Sequence, residues 1–210
     1  GSSESMLSLF TAGQIIVSRI YAQRGWQMNH TSRDRRLRVL FERRTTYSRR
    51  ILNAEDLLTQ CADSGYDCSA RSFGNASMAS DIRAAREADV LVGMHGAGLT
   101  YAFFMHTESA VVEIRPFGFE GQRPDKYFRQ QLAQAGNPVY HLHISVGAPE
   151  LCRPKLRLDT LPYLARDTSC IVPWNTLSQA LKHVVWFRQK SGRYESSTPA
   201  ARMLVAYPPL

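Results

Sequence analysis

The chain has 210 residues, of which 44% are hydrophobic, 21% charged and 10% aromatic. That length and composition can bury the core of one domain or two small ones, and they exclude a disordered chain. No stretch approaches the roughly 20 apolar residues of a membrane span. Four cysteines are too few for a disulfide scaffold. The 26 Lys and Arg against 18 Asp and Glu leave a net charge of +8, mostly from arginine, which attracts nucleic acid, anionic lipid or a small phosphorylated ligand alike.

The opening Gly1-Ser2-Ser3-Glu4-Ser5 is neither an initiator nor a signal peptide, and the chain reads as a piece of something longer. Apolar residues at helical spacing (Leu7, Phe10, Ile15, Ile16, Ile20, Tyr21) predict a helix within 7–28, with Gly25 as its stop. A polar link through Arg33–Arg36 leads to a short strand over 37–41. After an arginine-rich loop, Asn53 is the expected N-cap of a helix carrying Glu55 and Asp56 in its first turn, closed by Gly65. A strand follows over 66–73. Next come a helix over 77–88, capped by Ser77 or Ser80, and a buried strand over 89–93. The turn His95-Gly96-Ala97-Gly98-Leu99-Thr100 leads into an apolar helical run, Tyr101 to Met105. Beyond it lie a strand over 110–114, a helix over 124–135 and an extended stretch over 138–144. Pro149, Pro154, Pro162 and Pro173 make 146–173 irregular. A last helix spans 177–187, and the tail after Gly192 is loose. The expected organisation is an N-terminal helix and linker (1–36), a Rossmann-like nucleotide-binding domain (37–190) and a loose tail (191–210).

Short apolar strands alternating with helices specify an α/β fold with a parallel sheet. Ligands of such sheets bind at the carboxyl ends of the strands, so the loops 42–53, 72–77, 93–100 and 115–124 are the ones to inspect. The turn from Gly93 to Gly98 leaves a strand and enters a helix, where glycines let backbone N–H groups approach an anion and the helix N-terminus adds partial positive charge. Three familiar motifs do not fit it. A dinucleotide fingerprint fails because Tyr101 stands at its third glycine. A Walker loop lacks its Gly-Lys-Ser/Thr, and an esterase oxyanion loop lacks a G-x-S-x-G elbow anywhere in the chain.

The run Asp89-Val90-Leu91-Val92-Gly93-Met94-His95-Gly96-Ala97-Gly98-Leu99-Thr100, followed by Val111-Val112-Glu113-Ile114 and preceded by Arg44-Thr45-Thr46-Tyr47-Ser48-Arg49-Arg50-Ile51-Leu52-Asn53, resembles glycosyltransferase family 61. The resemblance runs from about residue 37 to 145, with a weaker tail to about 190. It implies a GT-B architecture of two Rossmann-like halves, this chain being the C-terminal, donor-binding half. It also implies an inverting transferase that uses a nucleotide sugar in the lumen of the secretory pathway, Golgi or endoplasmic reticulum. Membrane association would come only through a segment outside this chain. Two positions depart from the family: Tyr101 stands where Asn is frequent, and Asp81 where Gln is frequent.

Read as chemistry, a nucleoside diphosphate leaving group develops charge that cations and backbone N–H groups stabilise. Arg44, Arg49 and Arg50 offer guanidinium forks for phosphate. Arg49 and Arg50 cannot both reach one ligand from an extended chain, so Arg44 with one of them is favoured. His95, Gly96, Ala97, Gly98, Leu99 and Thr100 form the other wall of the expected donor site. Glu113 at a strand end is expected to accept the two ribose hydroxyls, or alternatively to pair with Arg115. His95 and Arg44 are the catalytic candidates. A separate general base for the acceptor hydroxyl is not found and is placed on the missing half. No Asp-x-Asp motif occurs, and transfer without metal or other cofactor is expected. His141 and His143 share a strand face, without a third metal ligand in view. Cys152 and Cys170 could bridge in an oxidising lumen, and Cys61 and Cys68 less readily. Asn29-His30-Thr31 and Asn75-Ala76-Ser77 match the glycosylation sequon. The expected function is transfer of N-acetylglucosamine or a pentose from a UDP-sugar to a protein or glycan hydroxyl, with no nucleic-acid partner. The alternatives are an inactive member acting as a binding module, and a basic nucleic-acid-binding domain.

Overall fold

A computed structural model describes residues 9–28, 36–119, 128, 132, 139–154, 165–189 and 203–206. The helix expected over 124–135, apart from Phe128 and Leu132, and the sequon at Asn29 lie outside the described residues.

Six parallel strands form one sheet: β1 (Arg38–Glu42), β2 (Asp67–Arg71), β3 (Val90–Met94), β4 (Ala110–Arg115), β5 (Tyr140–Val146) and an edge strand formed by Met203–Ala206, in the order β2-β1-β3-β4-β5-edge. The chain is thus an α/β protein with a Rossmann-like parallel sheet. The edge strand corrects the expectation of a loose tail. Its four apolar residues are too short a run to signal a strand, and pairing with His143–Val146 makes one of them. Helix α1 (Leu9–Arg24) ends at Gly25 in the left-handed region, and α2 (Ala54–Asp63) is followed by left-handed Gly65. Helix α3 (Met78–Glu87) is capped by the Ser77 hydroxyl, which accepts the Ser80 N–H. Helix α4 (Trp174–Gln189) closes the described order before the edge strand. The run after the glycine turn is a 3₁₀ helix, Ala97–Phe104, rather than an α-helix.

Strands β1, β3, β4 and β5 alternate between two buried faces, as strands covered on both sides do. Val39, Phe41, Val90, Val92, Val112, Leu142 and Ile144 pack with Leu57 of α2 and Leu177, Leu181 and Val184 of α4. Leu40, Leu91 and Val111 pack on the opposite face with Ala85 of α3 and with Leu99, Ala102 and Phe103 of the 3₁₀ helix. Helix α1 lies on that 3₁₀ helix. Gly13 meets the Phe103 carbonyl so closely that a Cβ would sit 2.1 Å from it, and Gln14 donates to the carbonyls of Phe103 and Met105.

A short ribbon, β6 (Cys152–Arg153) antiparallel to β7 (Ser169–Cys170), holds the arginine-rich loop. The Arg50 N–H donates to Ser169 Oγ, the Cys170 N–H to the Arg50 carbonyl, and the Leu52 N–H to the Cys170 carbonyl. Asn53 makes no side-chain cap on α2. Its amide instead donates to the Val172 carbonyl and accepts the Val172 N–H, 119 residues away. Both cysteine pairs are bridged, Cys152 to Cys170 across the ribbon and Cys61 to Cys68 between α2 and β2.

Candidate functional site

The strand order reverses between β1 and β3: β2 lies outside β1, while β4 and β5 follow on the other side of β3. Doubly wound sheets bind ligands at the carboxyl end of such a switch point. Two loops leave the sheet there, the arginine loop after β1 and the glycine turn after β3.

On the face carrying Leu40, Leu91 and Val111, the alternating positions turn polar toward this end. Leu40 is followed by Glu42, Leu91 by Gly93 and His95, and Val111 by Glu113 and Arg115. Val139 is likewise followed by His141 and His143. All six polar residues are buried. The amino-terminal part of the face is therefore core, and the carboxyl-terminal part is a charged layer under the two loops.

Glu113 is the centre of that layer, with 0% exposure. Its Oε1 lies 2.5 Å from His95 Nδ1, and its Oε2 accepts from His141 Nε2 at 2.8 Å and from Arg115 Nη2 at 2.9 Å. Burial pushes this carboxyl up, but the hydrogen bonds from His141 and His95 and the charge of Arg115 outweigh it and hold it well below the usual range. The ribose contact expected for Glu113 is therefore closed, because both oxygens are occupied and the side chain is sealed. It acts on His95 instead. An ionised Glu113 favours a proton on Nδ1 and so orients the ring. Phe119 and Phe128 flank the ring, with centroids at 4.7 and 5.5 Å.

The second cluster joins Glu42, Arg44 and the glycines. Arg44 Nε lies 3.2 Å from Glu42 Oε1. A Cβ at Gly96 would sit 2.1 Å from Arg44 Nη2, one at Gly98 would sit 1.8 Å from Glu42 Oε1, and one at Gly93 would sit 2.7 Å from Glu42 Oε2. Gly96 also has φ +155°, which side chains rarely adopt. The glycines thus make room for the Glu42–Arg44 pair, and the arginine loop and glycine turn meet through Arg44. Arg49 sits at φ 58° and pairs with Asp167 at 3.4 Å. Arg50 is exposed and borders, with Glu42, Arg43, Arg44 and the start of α2, a cleft of about 290 Å³. Arg49 and Arg50 therefore engage different surroundings.

Within the turn, Leu99 is fully buried among core residues and has no surface to offer a donor, contrary to expectation. Ala97 is exposed, and the Thr100 hydroxyl donates back to the Ala97 carbonyl at 2.6 Å. His141 is held by Glu113, and among the described residues no cluster of three metal-ligating side chains occurs. Tyr101 and Asp81 meet: Tyr101 Oη lies 3.4 Å from Asp81 Oδ2, and Tyr101 stacks on Phe73 with centroids 4.0 Å apart. Asp81 also accepts from Arg71 and the Gly74 N–H. Glu42 was not singled out from sequence, although a charged residue at an inward strand position beside a glycine was the available signal.

Residues 9–112 match the family model described as Glycosyltransferase 61. Over 89 residues, 42% of this chain and 17% of the relative, the chain is 29% identical to the EGF domain-specific O-linked N-acetylglucosamine transferase of Drosophila melanogaster. Over 71 residues, 34% of this chain and 12% of the relative, it is 34% identical to the beta-1,2-xylosyltransferase XAX1 of Oryza sativa subsp. japonica. The matched stretches are thus a small part of either relative. The family-model match, residues 9–112, contains the arginine-loop-to-glycine-turn segment whose two ends close on one another at the switch point, and over that stretch the chain is similar to glycosyltransferase family 61.

Proposed function

We propose that the chain is the donor-binding part of an inverting glycosyltransferase, one that moves N-acetylglucosamine or a pentose from a UDP-sugar to a hydroxyl of a protein or glycan. The observation that carries this reading is Arg44 seated on the Gly96–Gly98 turn at the switch point of a parallel sheet. Relatives named as an N-acetylglucosamine transferase and a xylosyltransferase support it.

In this reading the diphosphate lies over the switch point. Arg44 neutralises charge on the leaving oxygen as the glycosidic bond breaks, and Arg49 adds to the field from the same loop. His95 Nε2 accepts a hydrogen bond from a sugar or acceptor hydroxyl. Glu113 sets its tautomer, and Arg115 and His141 keep Glu113 ionised. No step requires a metal or other cofactor. The two disulfides suit an oxidising secretory lumen.

The test is calorimetric titration with UDP, followed by a donor-hydrolysis screen across nucleotide sugars on the full-length protein. UDP binding and hydrolysis of one UDP-sugar class are expected. A protein that binds no nucleotide or nucleotide sugar would be a binding module, and the reading would fall.

A further inference from the structure

We infer that Glu42 is a positioning residue that seats Arg44 for the donor diphosphate and takes up a proton when the diphosphate binds. The inference rests on the donor reading above. The turn is built closely around this side chain. The Glu42 side chain is 5% exposed, and Oε1 faces Arg44 Nε. Its Oε2 is buried with no hydrogen-bond partner among the described residues. Gly93 and Gly98 close over the two oxygens at distances that no Cβ would permit, and Gly96 does the same for the Arg44 guanidinium. Three glycines therefore accommodate one ion pair.

A carboxylate in that position has little solvation. Its ionised form depends on the arginines. Burial is the largest influence and raises its pKa to about 7, against the opposing charges of Arg44 and Arg49. The other charged groups nearby are mostly arginines, several of them paired. Arg49 pairs with Asp167, which also faces Arg166. Arg71, beside Glu42 on β2, is bound to Asp81 and Ser80. Arg43 and Arg50 border the same cleft. From β3 and the 3₁₀ helix, Gly93 and Gly98 close on Glu42, and both are uncharged. His95, just beyond, is hydrogen-bonded to Glu113.

A diphosphate on the outer side of Arg44 brings negative charge into this setting and competes for the guanidinium. The ionised carboxylate is then disfavoured, and a proton from solvent converts it to the neutral acid. No covalent bond of the ligand changes. Protonation removes a like charge from beneath the anion, while the glycine walls keep Arg44 in place.

The test is calorimetry of UDP-N-acetylglucosamine, whose diphosphate diester has no ionisation near neutrality, at about pH 7 in buffers of different ionisation heat. Uptake of about half a proton per ligand is expected for the wild type, with affinity falling up to about tenfold per pH unit above that pH. The Glu42→Gln variant should show no uptake and a flat pH profile. A purely structural role would leave proton uptake unchanged by the substitution. Should that variant fail to fold, infrared difference spectra of the wild type provide the second readout, with a protonated-carboxyl band appearing on ligand addition. Binding without proton uptake, uptake that persists in Glu42→Gln, or no carboxyl band overturns the role of Glu42 while leaving the donor reading intact. Absence of any binding by UDP or UDP-N-acetylglucosamine removes both.

Discussion

The Arg44 guanidinium lies against the Cα of Gly96, so that a Cβ there would sit 2.1 Å from Nη2. Gly96→Ala must therefore displace Arg44 and also strain a backbone at φ +155°. UDP affinity should fall at least about tenfold, about 1.4 kcal/mol, with the far-ultraviolet circular dichroism unchanged. Unaltered affinity would mean that Arg44 does not touch the ligand. Gly98→Val should also abolish UDP binding, because its side chain would fall on Glu42.

Arg44→Ala removes the guanidinium that links the two loops. A charge-assisted contact is worth roughly 1.5–3 kcal/mol, so UDP should bind more than about tenfold more weakly. Equal affinity for wild type and variant in calorimetry would contradict the donor site.

Glu113→Gln tests the buried layer. It removes the counter-charge of the fully buried Arg115, a change that costs about 3–5 kcal/mol when a buried pair is broken. The melting temperature should drop. UDP and 2′,3′-dideoxy-UDP should lose affinity equally, since the carboxylate acts through His95 and not on ribose. The folded-state pKa of Glu113 is depressed, so its contribution is present above the unfolded carboxylate range near pH 4.5 and is lost as pH falls below it. The variant should lack that acid-side loss in denaturation curves taken between about pH 3 and 5.

Glu42 predicts the opposite slope in a different window. Its pKa rises from 4.5 to about 7 on folding. The associated stability is full below about pH 4.5 and is lost as pH rises through about 7, on the order of 3 kcal/mol. Chemical denaturation of the wild type should give greater stability near pH 5 than near pH 8. Glu42→Gln should flatten that interval, and a wild type equally stable at both values would show that the carboxyl is not held in this way.

The Cys152–Cys170 bridge braces the ribbon whose Ser169 and Cys170 bind Arg50 and Leu52. Removing such a bridge typically costs 2–5 kcal/mol. Cys170→Ser should lower the melting temperature and also weaken UDP binding several-fold, because the arginine loop loses its anchor. Lower stability with unchanged UDP affinity would separate the ribbon from the site.

What local chemistry controls could be read directly. The apolar runs ending in Phe41, Val92 and Ile114 are strands because each is covered on both faces, and Gly25 and Gly65 end helices because they accept left-handed backbone. The arginine loop and glycine turn were recognisable because their residue types suit an anion. Contacts made across large separations were not. Asn53 reads as a cap, yet its amide serves Val172, and Met203–Ala206 become a strand only by pairing with β5. Glu113 looked like a cleft residue, but His95 and His141 close over it from neighbouring strands. Glu42 is buried only because Gly93 and Gly98, about 50 residues further along the chain, cover it. The alternating layers and the two anion-suited loops follow from periodicity and residue type along the chain. Which charges are buried, and what each one faces, follows from the folded arrangement, because desolvation is a property of neighbours brought together by the fold.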